Sequence, residues 1–256
     1  MRRFYPTLLL LFCCLPVCFA QFGQKIRTGR PGKSIGAYSV GENVFQIQSG
    51  LTNNNFSTEN PNITIVDDSW RHTTVLRYGI TEHFEVSGVV GGQFGKEVIG
   101  GISNTQIGAR YNFIKSDGAR PALDLQARLL LPVGEEELKR SDLGTRLLLG
   151  TGNKLNDRTG LITNLGLTLG KDRAPVKFYA VTLLYSVGND WSLFVEIYDN
   201  FVRLGDMEID FDTGVGYFVN NDLKLDISTG WQNNPGSPVR NWFVDLGFSY
   251  RIHDRE

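Results

Sequence analysis

The stretch "NWFVDLGFSYRI", residues 241–252, sets Trp242, Val244, Leu246, Phe248, Tyr250 and Ile252 on one side of an extended strand. Phe243, Asp245, Gly247, Ser249 and Arg251 fall on the other, because successive strand side chains point to opposite faces. Six large apolar groups on one face need cover, either from a protein core or from lipid.

Other segments repeat the pattern. One face carries Leu123, Leu125, Ala127, Leu129 and Leu131; another carries Leu161, Thr163, Leu165, Leu167 and Leu169. Trp191, Leu193, Val195 and Ile197 form a third stripe, and Leu223, Leu225, Ile227, Thr229 and Trp231 a fourth. Their reverse sides are wet: Gln106, Arg110 and Asn112; Asp124, Gln126 and Arg128; Asp210 and Asp212; Lys224, Asp226 and Ser228. The segment 176–187 is ambiguous, since Phe178 and Leu184 are apolar on its second face too.

Those reverse faces argue against a dry core behind them. A closed sheet with lipid outside and water inside accepts them, and it leaves no unpaired backbone edge in the membrane. Aromatics gather toward the ends of the apolar faces: Tyr78, Phe84, Tyr111, Phe113, Tyr185, Trp191, Tyr217 and Tyr250 at one rim, Trp231 and Trp242 at the other. Such girdles suit the membrane interface.

Period-two alternation predicts about twelve strands. They centre on 44–51, 72–80, 83–92, 102–114, 121–131, 142–152, 159–170, 176–187, 190–200, 208–219, 222–231 and 240–252. No segment has the capped, 3.6-periodic pattern of an amphipathic helix. Short links ("ITEH", "KSDGAR", "NKLNDR", "GN", "NN") alternate with mostly longer ones, of which "TNNNFSTENPNITIVDDSWR", residues 52–71, is the longest. The expectation is an all-β chain: a closed antiparallel transmembrane β-barrel of about 12 strands, with short periplasmic turns and longer extracellular loops.

The first twenty residues, "MRRFYPTLLLLFCCLPVCFA", read as a secretory signal: Arg2 and Arg3, an apolar run, then a small-x-small site cleaved after Ala20. A lipobox reading of Leu15-Pro16-Val17-Cys18 suffers from the bulk of Val17. Cys13, Cys14 and Cys18 all lie in this leader, so the mature chain would carry no cysteine, as suits an exported bacterial protein. Loss of Arg2 and Arg3 moves the formal charge from −1 to about −3, which offers nothing to a nucleic acid. The predicted organisation is signal 1–20, an N-terminal periplasmic or lumen segment 21–41, a barrel 42–252 and a tail 253–256.

Two passages resemble a known family. "RTGRPGKSIGAYSVGENVFQIQSGL", residues 27–51, with Arg30-Pro31-Gly32, Gly41, Gln46 and Gly50, is similar to the N-terminal signature of a bacterial outer-membrane group labelled for a "MetA-pathway of phenol degradation". "VLRYGITEHFEVSGVV", residues 75–90, resembles its second and third strands. This copy has Thr28-Gly29 where an acidic residue commonly precedes the Arg-Pro, and Gln48 where Glu is frequent. The resemblance spans about 27–252 and implies an outer-membrane channel or transporter passing small, hydrophobic or aromatic solutes. Asp245, Gly247, Tyr250 and Ile252 further resemble the C-terminal signal read by the barrel assembly machinery, with Ile252 in place of the usual aromatic.

The residues offer little chemistry. His72, expected at a loop edge, His83 in a turn and His253 in the tail lack a serine at a recognisable motif. "GTGNKL" lacks the residues of a phosphate loop, and the Glu135-Glu136-Glu137 run reads as a solvated loop. The expectation is no enzyme, no cofactor and no metal; outer-membrane lipid, the assembly machinery and a small solute are the partners, with no nucleic acid.

One constellation invites a functional reading. Arg77, Arg110, Arg128 and Arg146 fall on early strands of the lumen face, and Glu196, Asp210, Asp212, Asp226 and Asp245 on late ones. In a closed barrel the two sets line opposite walls. Either they set selectivity or solute contact through a transverse field, or they fill a narrow lumen with salt bridges in which Glu85, Asp124, Lys224 and Arg251 are local partners. Alternatives to an open channel are a closed structural or ligand-binding barrel plugged by 52–71 or by 21–41, and a secreted soluble β-sandwich.

Overall fold

The computed structural model describes residues 25–58, 67–95, 99–117, 120–171, 173–232 and 239–253, so the signal and its Ala20 cleavage site lie outside the described residues. Twelve strands follow one another: β1 (Phe45–Thr58), β2 (Asp67–Gly79), β3 (Phe84–Gly95), β4 (Gly101–Ile114), β5 (Ala122–Leu131) and β6 (Gly144–Lys154). The second half is β7 (Thr159–Gly170), β8 (Val176–Val187), β9 (Trp191–Phe201), β10 (Asp210–Phe218), β11 (Leu223–Gln232) and β12 (Val239–Ile252). Each strand pairs with its chain neighbours, and β12 closes on β1 from Phe45↔Ile252 to Thr58↔Val239. Every pairing is antiparallel, as hairpin connections require.

The faces sort as alternation demands. Leu193, Val195 and Ile197 on β9, Leu225 and Ile227 on β11, and Leu246, Phe248, Tyr250 and Ile252 on β12 all point outward. Gln46, Glu85, Arg110, Asn112, Asn164, Glu196, Asp212 and Ser249 point inward and are all but fully buried. Trp191 meets Tyr217 at 4.6 Å and Tyr111 meets Phe113 at 5.0 Å at the short-turn rim, and Trp231 pairs in register with Trp242 at the other.

Two expectations change. Most of 52–71 is strand, not loop: β1 continues to Thr58 and β2 begins at Asp67, and both ladders run unbroken through Thr52–Asn55. Asn is depleted in strands, but paired between β2 and β12 the run Asn53–Asn55 is held by the ladders on both sides. The ambiguous segment resolves with Phe178 inward, packed with Leu148, Ala180 and Tyr198 in a small apolar cluster inside the lumen. Its partner there is Ile35, from a segment that is not part of the sheet.

Candidate functional site

Residues 25–44 have no regular secondary structure and run inside the barrel. A backbone without a ladder needs other partners, and the lumen wall supplies them. The Ile26 amide donates to the Asn221 carbonyl at 2.7 Å, in the turn between β10 and β11. Farther in, the Lys33 and Ser34 amides donate to the Glu196 carboxylate at 2.5 and 2.8 Å. The Ile35 amide donates to Asn164 Oδ1 at 2.6 Å, and Asn164 Nδ2 donates back to the Ile35 carbonyl at 3.0 Å.

The segment then returns. Arg110 Nη1 donates to the carbonyls of Gly36 and Tyr38 at 3.0 and 2.8 Å, and Asn112 to that of Ala37 at 2.8 Å. The Val40 amide reaches Glu85 at 3.0 Å, and mutual bonds of Asn43 and Val44 with Gly79 lead into β1. The chain thus enters and leaves at the short-turn end, with Lys33 near the tip of the excursion. The lumen segment expected at 21–41 therefore extends, as described, over 25–44.

Arg30 fastens this segment to the seam that closes the barrel. Its Nη2 lies 2.9 Å from Asp226 and is also bonded to Asp245, which in turn accepts from Thr52. Gly50 and Gly247 are paired across β1 and β12. A Cβ on either would stand 2.0 or 2.2 Å from a guanidinium nitrogen of Arg30, so the guanidinium lies where two side chains are missing. The sequence marks Arg30, Gly50 and Gly247 as motif residues but says nothing of their meeting.

The predicted lumen charges separate into three groups. On one wall Arg77 pairs with Glu85 at 2.6 Å, and Arg110 with Asp124 at 3.1 Å and Glu85 at 3.7 Å. On the other, Asp226 and Asp245 are met by Arg30, and Glu196 by backbone amides and the Thr182 hydroxyl. Asp212 is fully buried opposite Glu196 in the β9–β10 register, and Asp210 is buried at the head of β10. Lys224 donates to the Arg30 carbonyl at 3.2 Å, and Arg251 pairs with Asp222 at 2.7 Å. Arg128 and Arg146 form the third group: directly paired in register, they have no carboxylate partner among the described residues. Arg128 reaches only Gln106, at 3.4 Å, and Arg146 lies 4.9 Å over the Phe178 ring.

Of the C-terminal signal residues, Asp245 and Gly247 face Arg30 in the lumen, while Tyr250 and Ile252 are outward. His72 departs from expectation: it sits within β2, its Nε2 3.0 Å from the hydroxyls of both Ser49 and Thr74. Two neighbouring strands bring serine and histidine together although the chain keeps them apart. Among the described contacts no carboxylate orients that imidazole, as a triad requires. His83 bonds the Asn112 carbonyl at 2.8 Å and His253 lies 3.1 Å from Asp222.

Beyond the segment, toward the long-loop end, a cavity of about 380 Å³ is lined by Lys33, Thr52, Arg71, Gln93, Asn104, Gln232 and Phe243 among others.

A closed barrel of twelve antiparallel strands, apolar outside and charged within, is a transmembrane β-barrel of the kind found in the bacterial outer membrane. The sequence matches the model of the family described as "Putative MetA-pathway of phenol degradation" over residues 28–252, and the chain belongs to that family. No curated protein matches the sequence. Among solved structures, an outer-membrane channel from Pseudomonas putida F1 is similar in fold, with a TM-score of 0.64 at 11% identity, covering 87% of this chain and 99% of that one. The KdgM porin in complex with disordered oligogalacturonate gives 0.59 at 14% identity, covering 81% and 99%. The NanC porin gives 0.57 at 8%, covering 80% and 100%.

Proposed function

We propose that the protein is a passive channel for small solutes across the outer membrane, and not an enzyme, whose resting state is closed by its own segment 25–44. The observation that carries this reading is the way the segment is held. Its backbone and Arg30 are held to the wall by hydrogen bonds and ion pairs to polar side chains, while Ile35 packs on the Phe178 cluster and Ile26, Ala37, Val40 and Val44 are buried. Such polar contacts can be exchanged for water when the segment undocks, at a net cost of about 0.5–1.5 kcal/mol for each neutral hydrogen bond and more where a charge is buried. The family's description adds hydrophobic or aromatic compounds to the candidate solutes. Lipid covers the outer face, including a dent of about 600 Å³ around Ala109 and Ala127, and the barrel assembly machinery reads the β12 end.

The test is conductance in planar bilayers, using protein shown by heat-modifiable gel migration to be folded. Wild type should give brief, small steps, and a variant lacking residues 25–41 should conduct continuously. A folded deletion variant as silent as the wild type would refute the channel reading. Phospholipid turnover that disappears in Ser49→Ala would instead revive an enzymatic one.

A further inference from the structure

We infer that the lumen above the plug holds a binding site for a small organic anion, a carboxylate with an apolar body, built on Arg128 and Arg146. The inference rests on the channel reading for its route of access but not for its chemistry.

Arg128 and Arg146 stand side by side across the β5–β6 ladder, on the lumen face. Two like charges in that relation repel, and both are largely withdrawn from water. The other arginines of this wall have answered the same problem with acids: Arg77 with Glu85, Arg110 with Asp124. These two have not. Among the described residues Arg128 Nε is buried without an acceptor, and the side chain's hydrogen bond is the long one to Gln106. A desolvated guanidinium pair without a counter-charge is a receptor for an anion, since two forks can share one carboxylate.

The surroundings select within that class. Arg128 bonds Gln106, Gln106 donates to Asn104 at 2.8 Å, and Asn104 lines the cavity of about 380 Å³, so two polar side chains stand between Arg128 and that space. Among the described residues the cavity's lining includes Lys33 and Arg71 and no Asp or Glu, so its field reinforces the attraction for an anion. The same cavity is lined by Phe243, which gives an apolar body a ring to rest on. Among the acids of β9–β12, Asp226 and Asp245 are held by the plug's Arg30 and Glu196 by the plug's amides, so these three do not draw on Arg128 and Arg146.

The experiment is isothermal titration of the full-length folded barrel in non-ionic detergent with benzoate, and with benzyl alcohol as a neutral analogue of the same size. The expected result is benzoate binding at least tenfold tighter than benzyl alcohol, weakened by added salt. Arg128→Gln together with Arg146→Gln should abolish the difference, and Arg128→Lys should retain part of it. Equal affinity for the two probes in wild type would overturn the inference, as would a benzoate preference that survives in the folded double variant. Because binding is read without conductance, a silent barrel that still prefers benzoate refutes the channel and upholds the site. A conducting barrel with no preference does the reverse.

Discussion

Replacing Arg30 by Gln tests the latch between the plug and the closing seam. Glutamine keeps hydrogen-bond donors but removes the charge, leaving Asp226 and Asp245 facing each other without a cation. In the native protein the side chains of Arg30, Asp226 and Asp245 are 16%, 0% and 15% exposed, so water screens these pairs weakly. Breaking a buried pair by removing one partner costs about 3–5 kcal/mol. The strands do not depend on Arg30 for their ladders, so the loss falls on docking of residues 25–44 and not on the barrel. At about 1.4 kcal/mol per factor of ten, the ratio of docked to undocked plug should fall roughly a hundredfold to several-thousandfold. Two assays read it: single-channel open probability, and tryptic cleavage at Arg27 or Lys33 in the folded protein. Gly247→Ala should act in the same direction, since its Cβ would lie 2.2 Å from Arg30 Nη2. Arg30→Lys should fall between, because an ammonium cannot reproduce the fork. If Arg30→Gln retains both wild-type open probability and wild-type protease resistance in a heat-modifiable barrel, the latch argument is wrong.

Further outcomes follow from the same geometry. Gly79→Ala would set a Cβ 1.6 Å from the Gly41 carbonyl oxygen, a backbone atom that cannot step aside, so the segment's return into β1 should be disrupted and cleavage within 25–44 accelerated. Glu85→Gln leaves Arg77 short of its carboxylate and Arg110 with Asp124 alone, and should lower stability by about 3 kcal/mol, read as the urea midpoint of the folded gel band. Val195→Arg puts a cation on the lipid face of β9 and should cost about 2–4 kcal/mol in bilayers if it lies near the midplane. Asp222 lies in the turn between β10 and β11; partial burial pushes its carboxyl up, but Arg251 and His253 outweigh this and hold it below the usual carboxylate range. A depressed folded value means stabilisation that is full above the unfolded value of about 3.9 and lost as pH falls through the folded one. Asp222→Asn should therefore be less stable than wild type at pH 7, and the two should converge in strong acid; a constant difference across the range would contradict the assignment.

Much of the architecture could be read directly from the chain. Alternation along 241–252 and along the stripes on β5, β7, β9 and β11 is a property of each strand by itself, and the aromatic rims and alternating short and long links point from it to a barrel. The turns at 80–83, 188–190 and 219–222 were visible because tight reversals restrict residue type. The ends of β1 and β2 were not, because the asparagines there disfavour strand and extend only with a ladder on both sides. Sequence also placed the four arginines and five acids on the lumen face, and on opposite walls once the sheet closes.

What it could not decide was which charges meet. That outcome rests on residues 25–44, whose composition is that of an ordinary linker and whose backbone has no periodicity to betray it. Only closure brings Gly50 and Gly247, from the two ends of the barrel sequence, into one pair and so leaves a space that fits a guanidinium. Once Arg30 occupies it, Asp226 and Asp245 have their cation, Glu85 and Asp124 answer Arg77 and Arg110, and Arg128 and Arg146 are left without a carboxylate among the described residues. Side-chain direction is local and survives in the sequence; charge pairing depends on distances between segments remote in the chain, which exist only in the folded barrel.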